Sequence, residues 1–183
     1  MWRVQQGNAG AWAGELGSII AENLAHMGFR HIVPVDDDEL DASSLNRVAG
    51  VDYKDAQNNV YKVGAIANRL RGINPKCEAE AYRISVHSTA AEIALAQANW
   101  ILAGTDSHSS RFRVQQYAFK YFAPFIAAGV NISVEGDIIT VVSGEAIAVR
   151  MGGAYCLSCL NRVNYTAFHI KSPNVHFEKS QNI

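Results

Sequence analysis

The chain has 183 residues, a formal net charge of -1, 49% hydrophobic residues and 18% charged residues. This length and composition suit one folded domain and exclude a disordered chain. The near-neutral charge gives no basis for binding nucleic acid or an acidic membrane, and no apolar run approaches the roughly 20 residues of a membrane helix.

The N-terminal sequence and the cysteine content together predict the cellular compartment of the protein. No basic segment followed by an apolar core occurs at the N-terminus, so we expect no signal peptide. The three cysteines include one CxxC pair, which argues against a secreted disulfide framework and favours a reduced compartment. We therefore expect a cytoplasmic protein.

Helical and extended segments alternate along the chain, which predicts a Rossmann-like α/β fold with a mostly parallel sheet. In chain order the patterns predict a strand at 2–6, a glycine-rich turn at 7–17, a helix at 16–27, a strand at 32–35, a helix at 60–71, a strand at 78–84, a helix at 89–98, a strand at 100–103, a helix at 109–121 and a strand at 124–128. After Gly129 the pattern changes and predicts antiparallel strands at 137–142 and 146–150. We assign 1–160 to one domain and leave 161–183 as a tail without assigned structure.

A glycine-rich turn at the start of the first helix predicts a phosphate site. Gly14 and Gly17 open that helix, where glycine lets the backbone approach a phosphate and the free N–H groups carry partial positive charge. Asp36 ends the following strand at about the spacing, roughly 20 residues, of a ribose-binding carboxylate. A glycine turn without ligand and a solvated acidic turn are the structural alternatives.

Charged side chains further along could complete such a site. Arg47 and Lys62 are cations that could neutralise phosphate, although each alone could be a surface residue. Asp106 follows the strand at 100–103, and a carboxylate at the carboxyl end of a strand can hold magnesium.

Four motifs follow one another along the chain. They are Val35-Asp36-Asp37-Asp38-Glu39 through Ser44-Leu45-Asn46-Arg47, then Lys62-Val63 with Ile73-Asn74-Pro75, then Gly104-Thr105-Asp106-Ser107 with Arg111, and finally Cys156-Leu157-Ser158-Cys159-Leu160. In this order they resemble the ThiF/MoeB/HesA adenylyltransferases, from about residue 14 to residue 160. The resemblance implies an enzyme that uses ATP and magnesium to activate the C-terminal carboxylate of a ubiquitin-like or sulfur-carrier protein as an acyl-adenylate.

The resemblance also implies roles for individual residues. Gly14 and Gly17 would line the phosphate loop, and Asp36 would accept hydrogen bonds from the ribose hydroxyls. The catalytic set would be Arg47 and Lys62 on the triphosphate and Asp106 on magnesium. A symmetric homodimer is implied as well.

The CxxC pair resembles half of a zinc site. Thiolates of Cys156 and Cys159 suit tetrahedral zinc, which needs four ligands in a structural site. His169 and His176 could complete the set, and the alternative is a loop with two free thiols and two surface histidines. Cys77 is expected to be a buried strand residue.

Departures from the family pattern favour a second hypothesis. Trp12 stands at the tight-turn glycine of the family's loop, and Glu15 puts negative charge beside the phosphates. We also expect this chain to be truncated, without the family's N-terminal helical segment that bears an arginine. These features favour a non-catalytic module that keeps the fold for dimerisation or partner binding. A third hypothesis, an NAD-dependent oxidoreductase, fits the spacing of Asp36 but not the incomplete glycine fingerprint.

Overall fold

A six-stranded sheet forms the centre of the computed structural model, which describes residues 8–12, 14–105 and 107–163. The strands are β1 (Asn8–Trp12), β2 (His31–Val35), β3 (Glu78–Ala79), β4 (Trp100–Ala103), β5 (Phe125–Glu135) and β6 (Ile138–Val149). Their order across the sheet is β3-β2-β1-β4-β5-β6, and all neighbours are parallel except β5 and β6. The predicted α/β class with a mostly parallel sheet is therefore confirmed.

The helices of the described residues are α1 (Glu15–His26), α2 (Tyr53–Gln57), α3 (Lys62–Ile73), α4 (Thr89–Leu95) and α5 (His108–Lys120), with a 3-10 turn at Ala42–Ser44. Helices α1 and α3 cover one face of the sheet, and α4 and α5 cover the other. Successive residues of β4 point to opposite layers: Leu102 packs in the core that includes α1 and α3, whereas Ile101 packs with α4 and α5. Within the described residues, no helix is long and apolar enough to cross a bilayer.

The first described strand lies in a segment that was predicted to be a turn. Strand β1 occupies part of the segment expected to be a glycine-rich turn, and the predicted strand at 2–6 lies outside the described residues. Ala9 is fully buried, and a Cβ on Gly10 would come within 2.3 Å of the Leu95 side chain. Small residues here let α4 pack closely on the centre of the sheet, and they carry little of the signal from which strands are predicted.

The third strand is shorter than the predicted 78–84. It ends at Ala79, and pairing with β2 resumes only at the bridge between Val35 and Tyr82. Pro34 lies beside this interruption, where its carbonyl accepts from the Tyr82 N–H at 2.9 Å. A residue without an N–H is therefore accommodated where the ladder is already broken.

The last two predicted strands are a single strand. Strand β6 pairs with β5 without a break at Gly144, which lies opposite Val130, and β5 itself extends to Glu135. The Ser143-Gly144 pair suggests a turn in the sequence but lies inside the ladder. The turn is instead at Gly136, whose φ of 62° suits glycine.

The other predicted elements are confirmed. Strands β2 and β4 and helices α1, α3, α4 and α5 match their predicted positions with end differences of a few residues. Helix α2 was not predicted, because five residues capped by Asp52 are too few to show a helical period.

Candidate nucleotide-binding site

Close contacts between glycines bring the start of α1 against the end of β4. Gly14 is the N-cap of α1, and a Cβ on it would lie 3.2 Å from the Gly104 carbonyl oxygen. A Cβ on Gly104 would lie 2.5 Å from the backbone nitrogen of Gly17. The sheet order reverses between β1 and β4, the point where α/β sheets bind ligands. The unpaired N–H groups of the first turn of α1 therefore lie at this edge of the sheet.

A cleft of about 370 Å³ opens there, and we call it the polar recess. Its lining residues are Gly14, Glu15, Asp36, Asp37, Asp38, Lys62, Val86, Thr105, Ser107 and Ser110. The structure thus brings together three of the predicted residues: Gly14, Asp36 and Lys62. Asp106 lies outside the described residues, but both of its chain neighbours line this recess.

Asp36 and Lys62 are both shielded from solvent. Burial raises the pKa of the Asp36 carboxyl, although the N–H of Asp38, which donates to Asp36 Oδ1 at 2.9 Å, acts in the opposite direction. The Lys62 side chain is 12% exposed, and its Nζ lies 2.6 Å from Asp38 Oδ2. The Lys62 N–H also donates to the Asp38 carbonyl, so the start of α3 is fixed to this turn. Lys62 is therefore a positioned cation that already has a carboxylate partner.

A second cleft of about 500 Å³, the apolar recess, adjoins the first. It is lined by Glu15, Leu16, Ile19, Asn46, Arg47, Gly104, Thr105, Arg111, Gly129, Val130 and Ile132. Arg47 lines this recess and does not line the polar one, so the two predicted phosphate-binding cations face different clefts. Glu15 and Thr105 line both clefts and form the boundary between them.

The loop that carries Arg47 is tied to the first turn of α1. The buried Ser18 hydroxyl donates to the Glu15 carbonyl at 2.7 Å and accepts from the Ala49 N–H at 2.9 Å. Arg47 itself donates to the Ser43 carbonyl at 3.2 Å and lies 2.6 Å from Glu15 Oε1. Two contacts on separate elements therefore hold the guanidinium beside the helix start.

Arg111 belongs to the sequence motif that contains Asp106, but no role was predicted for it. Its Nε donates to the Thr105 carbonyl at 2.8 Å, and a Cβ on Gly129 would come within 2.1 Å of its guanidinium. Arg111 therefore packs against the bare backbone of β5. It also lines a third cleft of about 600 Å³, toward His108, Glu145 and Arg162.

Oxygen atoms suited to a hard cation lie beside the position of Asp106. Thr105 Oγ1 is buried and has no hydrogen-bond partner among the described residues. Asp36, Asp37 and Asp38 each offer a carboxylate oxygen, and these atoms lie within 4.8 Å of one another. This chemistry fits magnesium, which prefers oxygen ligands.

The two C-terminal cysteines form a tight turn. Their Sγ atoms are 3.2 Å apart, and the Leu160 N–H donates to the Cys156 carbonyl. Burial raises the pKa of the Cys156 thiol, but hydrogen bonds from Cys159 and Ser158 together lower it more, so the pKa lies below its usual range. Among the described residues no third metal ligand joins this pair, and the predicted partners His169 and His176 lie outside the described residues. The described chain thus offers two of the four ligands of a structural zinc site.

Cys77 is buried in the core beside α3, as predicted, but it directly precedes β3 and does not lie within a strand, so that part of the prediction is wrong. Burial raises the pKa of its thiol. This cysteine therefore has a packing role.

The family model described as the ThiF family matches residues 11–176. The chain belongs to the ThiF family. Among curated relatives, the sulfur carrier protein ThiS adenylyltransferase of Bacillus subtilis (strain 168) is 28% identical over 151 residues, which cover 79% of this chain and 45% of that protein. The probable molybdopterin-synthase adenylyltransferase of Gracilaria tenuistipitata var. liui is 28% identical over 107 residues, covering 58% of this chain and 30% of that protein. The chain thus spans less than half the length of these ThiF-family relatives.

Solved structures show the same fold. E. coli MccB in a crystal structure with ATP superimposes with a TM-score of 0.61 at 18% identity, covering 72% of this chain and 41% of MccB. TcdA (CsdL) superimposes with a TM-score of 0.61 at 20% identity, covering 72% of this chain and 54% of TcdA. At these identities the likeness is one of fold.

Proposed function

We propose that this ThiF-family chain is an ATP-dependent adenylyltransferase that activates the C-terminal carboxylate of a ubiquitin-like or sulfur-carrier protein. The observation that carries the proposal is the polar recess, which gathers the start of α1, Asp36 and Lys62 at the switch point of the sheet. The names of the curated relatives, both adenylyltransferases, support the same reaction class.

The chemistry requires positioning more than covalent participation by the protein. An oxygen of the substrate carboxylate attacks the α-phosphorus of ATP, the bond from that phosphorus to the bridging oxygen breaks, and pyrophosphate leaves. The carboxylate is already ionised, so no base is needed. Backbone N–H groups at Gly14–Gly17 and the Lys62 ammonium would stabilise charge on the phosphates, and Asp36 would accept from the ribose hydroxyls.

Magnesium would be held by Asp106, whose chain neighbour Thr105 has a buried hydroxyl with no hydrogen-bond partner in the described part of the chain. When bound, it would neutralise phosphate charge. This matters in the polar recess, because the lining includes four carboxylates and one ammonium.

The partner protein would dock on the outer part of the β5–β6 hairpin. One face of it, which we call the apolar hairpin face, consists of Val130, Ile132, Val134, Ile139 and Val142, all more than half exposed. Exposed apolar surface of this kind is typical of interaction sites. Val130 and Ile132 also line the apolar recess, which leads to Thr105 at the edge of the polar recess. A partner seated here could place its C-terminal tail beside the nucleotide.

Assembly and zinc are further proposals that rest on the resemblance, whereas a cytoplasmic location is proposed from the cysteine pattern and the N-terminal sequence. We expect a homodimer, which sedimentation analysis would test. Zinc would bind Cys156 and Cys159 together with ligands beyond the described residues. Metal analysis of protein prepared without chelators would show stoichiometric zinc if this is right.

Exchange of labelled pyrophosphate into ATP, measured with a sulfur-carrier protein present, tests the proposed reaction. We expect exchange that requires magnesium and is lost in Lys62→Ala and Asp106→Ala. The matched control is Lys54→Ala on α2. Lys54 is exposed and lines neither recess, so this variant should exchange pyrophosphate like the wild type. Exchange unchanged in both site variants would remove Lys62 and Asp106 from the mechanism.

A non-catalytic module is the second candidate, and the two ion pairs favour it. Arg47 and Lys62, the cations expected to bind phosphate, are each paired with a carboxylate at 2.6 Å. A thermal shift assay separates the candidates. Stabilisation by ATP with magnesium supports the enzyme, the absence of any nucleotide shift supports the module, and stabilisation by NADH alone supports an oxidoreductase.

A further inference from the structure

Glu15 occupies a position where a carboxylate opposes phosphate binding. It is the first residue of α1, where its negative charge favours the helix because the N-terminal end of the helix dipole is positive. The same positive end is the expected position of the phosphates. Glu15 therefore stabilises the helix at a place where it competes with the ligand.

The Glu15 carboxylate also holds the nearest cation of the adjoining cleft. Glu15 Oε1 lies 2.6 Å from Arg47 Nη1, and the two side chains are 43% and 47% exposed. Since Glu15 lines both recesses, the pair lies at their boundary. An ion pair this exposed is weak and can exchange partners at small cost.

We propose that Glu15 sets the nucleotide affinity of this site by competing with the phosphates for Arg47. The proposal rests on the proposed function, because it assumes that a nucleotide binds in the polar recess. In the free protein Arg47 is paired with Glu15, and binding transfers the guanidinium to a phosphate oxygen. Glu15 is thus an affinity-determining residue that acts through Arg47.

Replacing the carboxylate by an amide should release Arg47. Glu15→Gln keeps the shape of the side chain, so Arg47 loses a charged partner without a change in packing. We expect ATP with magnesium to bind roughly fivefold more tightly to Glu15→Gln than to the wild type, the factor that corresponds to an exposed ion pair of about 1 kcal/mol. Isothermal titration calorimetry measures this directly.

A double-mutant cycle separates competition for Arg47 from simple repulsion of phosphate. If Glu15 acts through Arg47, the gain from Glu15→Gln disappears in an Arg47→Ala background. Arg47→Gln replaces Arg47→Ala if the alanine variant loses its fold by circular dichroism. A gain that persists undiminished without Arg47 would overturn the proposal.

Glu22→Gln is the matched control. Glu22 lies on the same helix and pairs with Arg69 at 2.6 Å, but it lines neither recess. Its removal should leave ATP affinity unchanged, and an equal gain in this variant would show a general charge effect and overturn the proposal.

The remaining outcomes distinguish the two proposals. Wild-type binding with unchanged or weaker binding by Glu15→Gln overturns the role of Glu15 and leaves the proposed function standing. Failure of both the wild type and Glu15→Gln to bind ATP overturns both.

Discussion

The polar and apolar recesses adjoin each other but differ in chemistry. The polar recess lies at the ends of the buried strands β1, β2 and β4, and four of its residues are acidic. The apolar recess lies between α1 and the hairpin and is lined by side chains such as Leu16, Ile19 and Ile132. The first suits a metal-bound nucleotide and the second suits a peptide tail.

In the proposed function, the two binding tasks would meet at the boundary between the recesses. Glu15 and Thr105 belong to both linings, and Gly104 holds the start of α1 against β4. A carboxylate arriving from the apolar side would reach the nucleotide there. Variants on each side of this boundary should therefore affect different substrates.

The largest effect is expected at Gly104, on which both recesses depend. Gly104→Ala would push a Cβ to 2.5 Å from the backbone nitrogen of Gly17, which cannot move as a flexible side chain could. We expect a loss of stability of roughly 1–3 kcal/mol, typical of overpacking, and weaker binding in both recesses. Urea denaturation measures the loss of stability.

Gly64→Ala within α3 is the control for this substitution. A Cβ there meets only the Val60 side chain at 3.9 Å, so alanine should stabilise the helix by up to about 1 kcal/mol. Equal stability changes at the two glycines would contradict the close contact at Gly104.

The second-largest effect is expected for substitutions on the apolar hairpin face. The double variant Ile132→Ser and Val142→Ser should raise the KM for the carrier protein about tenfold, as expected for the loss of roughly 1.4 kcal/mol of apolar contact. The KM for ATP should not change, because these residues do not line the polar recess. Steady-state kinetics with each substrate varied in turn provide the measurement.

Ile93→Ser offers a comparison on α4, where the side chain is 70% exposed and lines neither recess. It should leave both KM values unchanged. A rise in the KM for ATP in the hairpin variant would mean that the two recesses are not separate sites.

The smallest effect is expected at Asp36, where binding and stability oppose each other. Burial raises the pKa of this carboxyl above 3.8, so the folded protein loses stability as the pH rises from that value through the folded pKa. Asp36→Asn removes this penalty and should therefore raise the Tm at pH 7.

This gain should shrink as the pH falls through the folded pKa and vanish well below 3.8, where the aspartate is protonated in both states. The same variant should bind ATP more weakly, because an amide oxygen is a poorer acceptor for ribose hydroxyls than a carboxylate. Thermal melts at several pH values test the change in Tm, and isothermal titration calorimetry tests the change in ATP affinity. A lower Tm at pH 7 would mean that hydrogen bonding from Asp38 outweighs desolvation.

Much of the fold is predictable because its helices and two of its strands carry clear apolar patterns. Strand β4 was predicted to the residue, since Ile101, Leu102 and Ala103 form a short apolar run. Strand β1 was missed because Ala9 and Gly10 are small for reasons of packing against Leu95, a contact between distant parts of the chain. Local pattern does not contain that information.

The features of the candidate site likewise divide into those that the sequence predicts and those that only the folded structure shows. The carboxyl ends of parallel strands share one edge, which is why sequence position placed Asp36 near the glycine turn at Gly14. Lys62, at the start of α3, was placed beside them by the family resemblance. The carboxylate partners were not predicted, since the contact of Lys62 with Asp38 spans 24 residues and depends on side-chain placement. The assignment of Arg47 to the adjoining recess likewise required the folded loop.

The most direct test is a crystal structure of the protein with ATP and magnesium. We predict that the ribose hydroxyls lie within hydrogen-bond distance of Asp36 and that the phosphates contact the backbone at Gly14–Gly17 and Lys62. A nucleotide bound away from these groups, or crystals grown in saturating ATP that contain none, would contradict nucleotide binding in the polar recess.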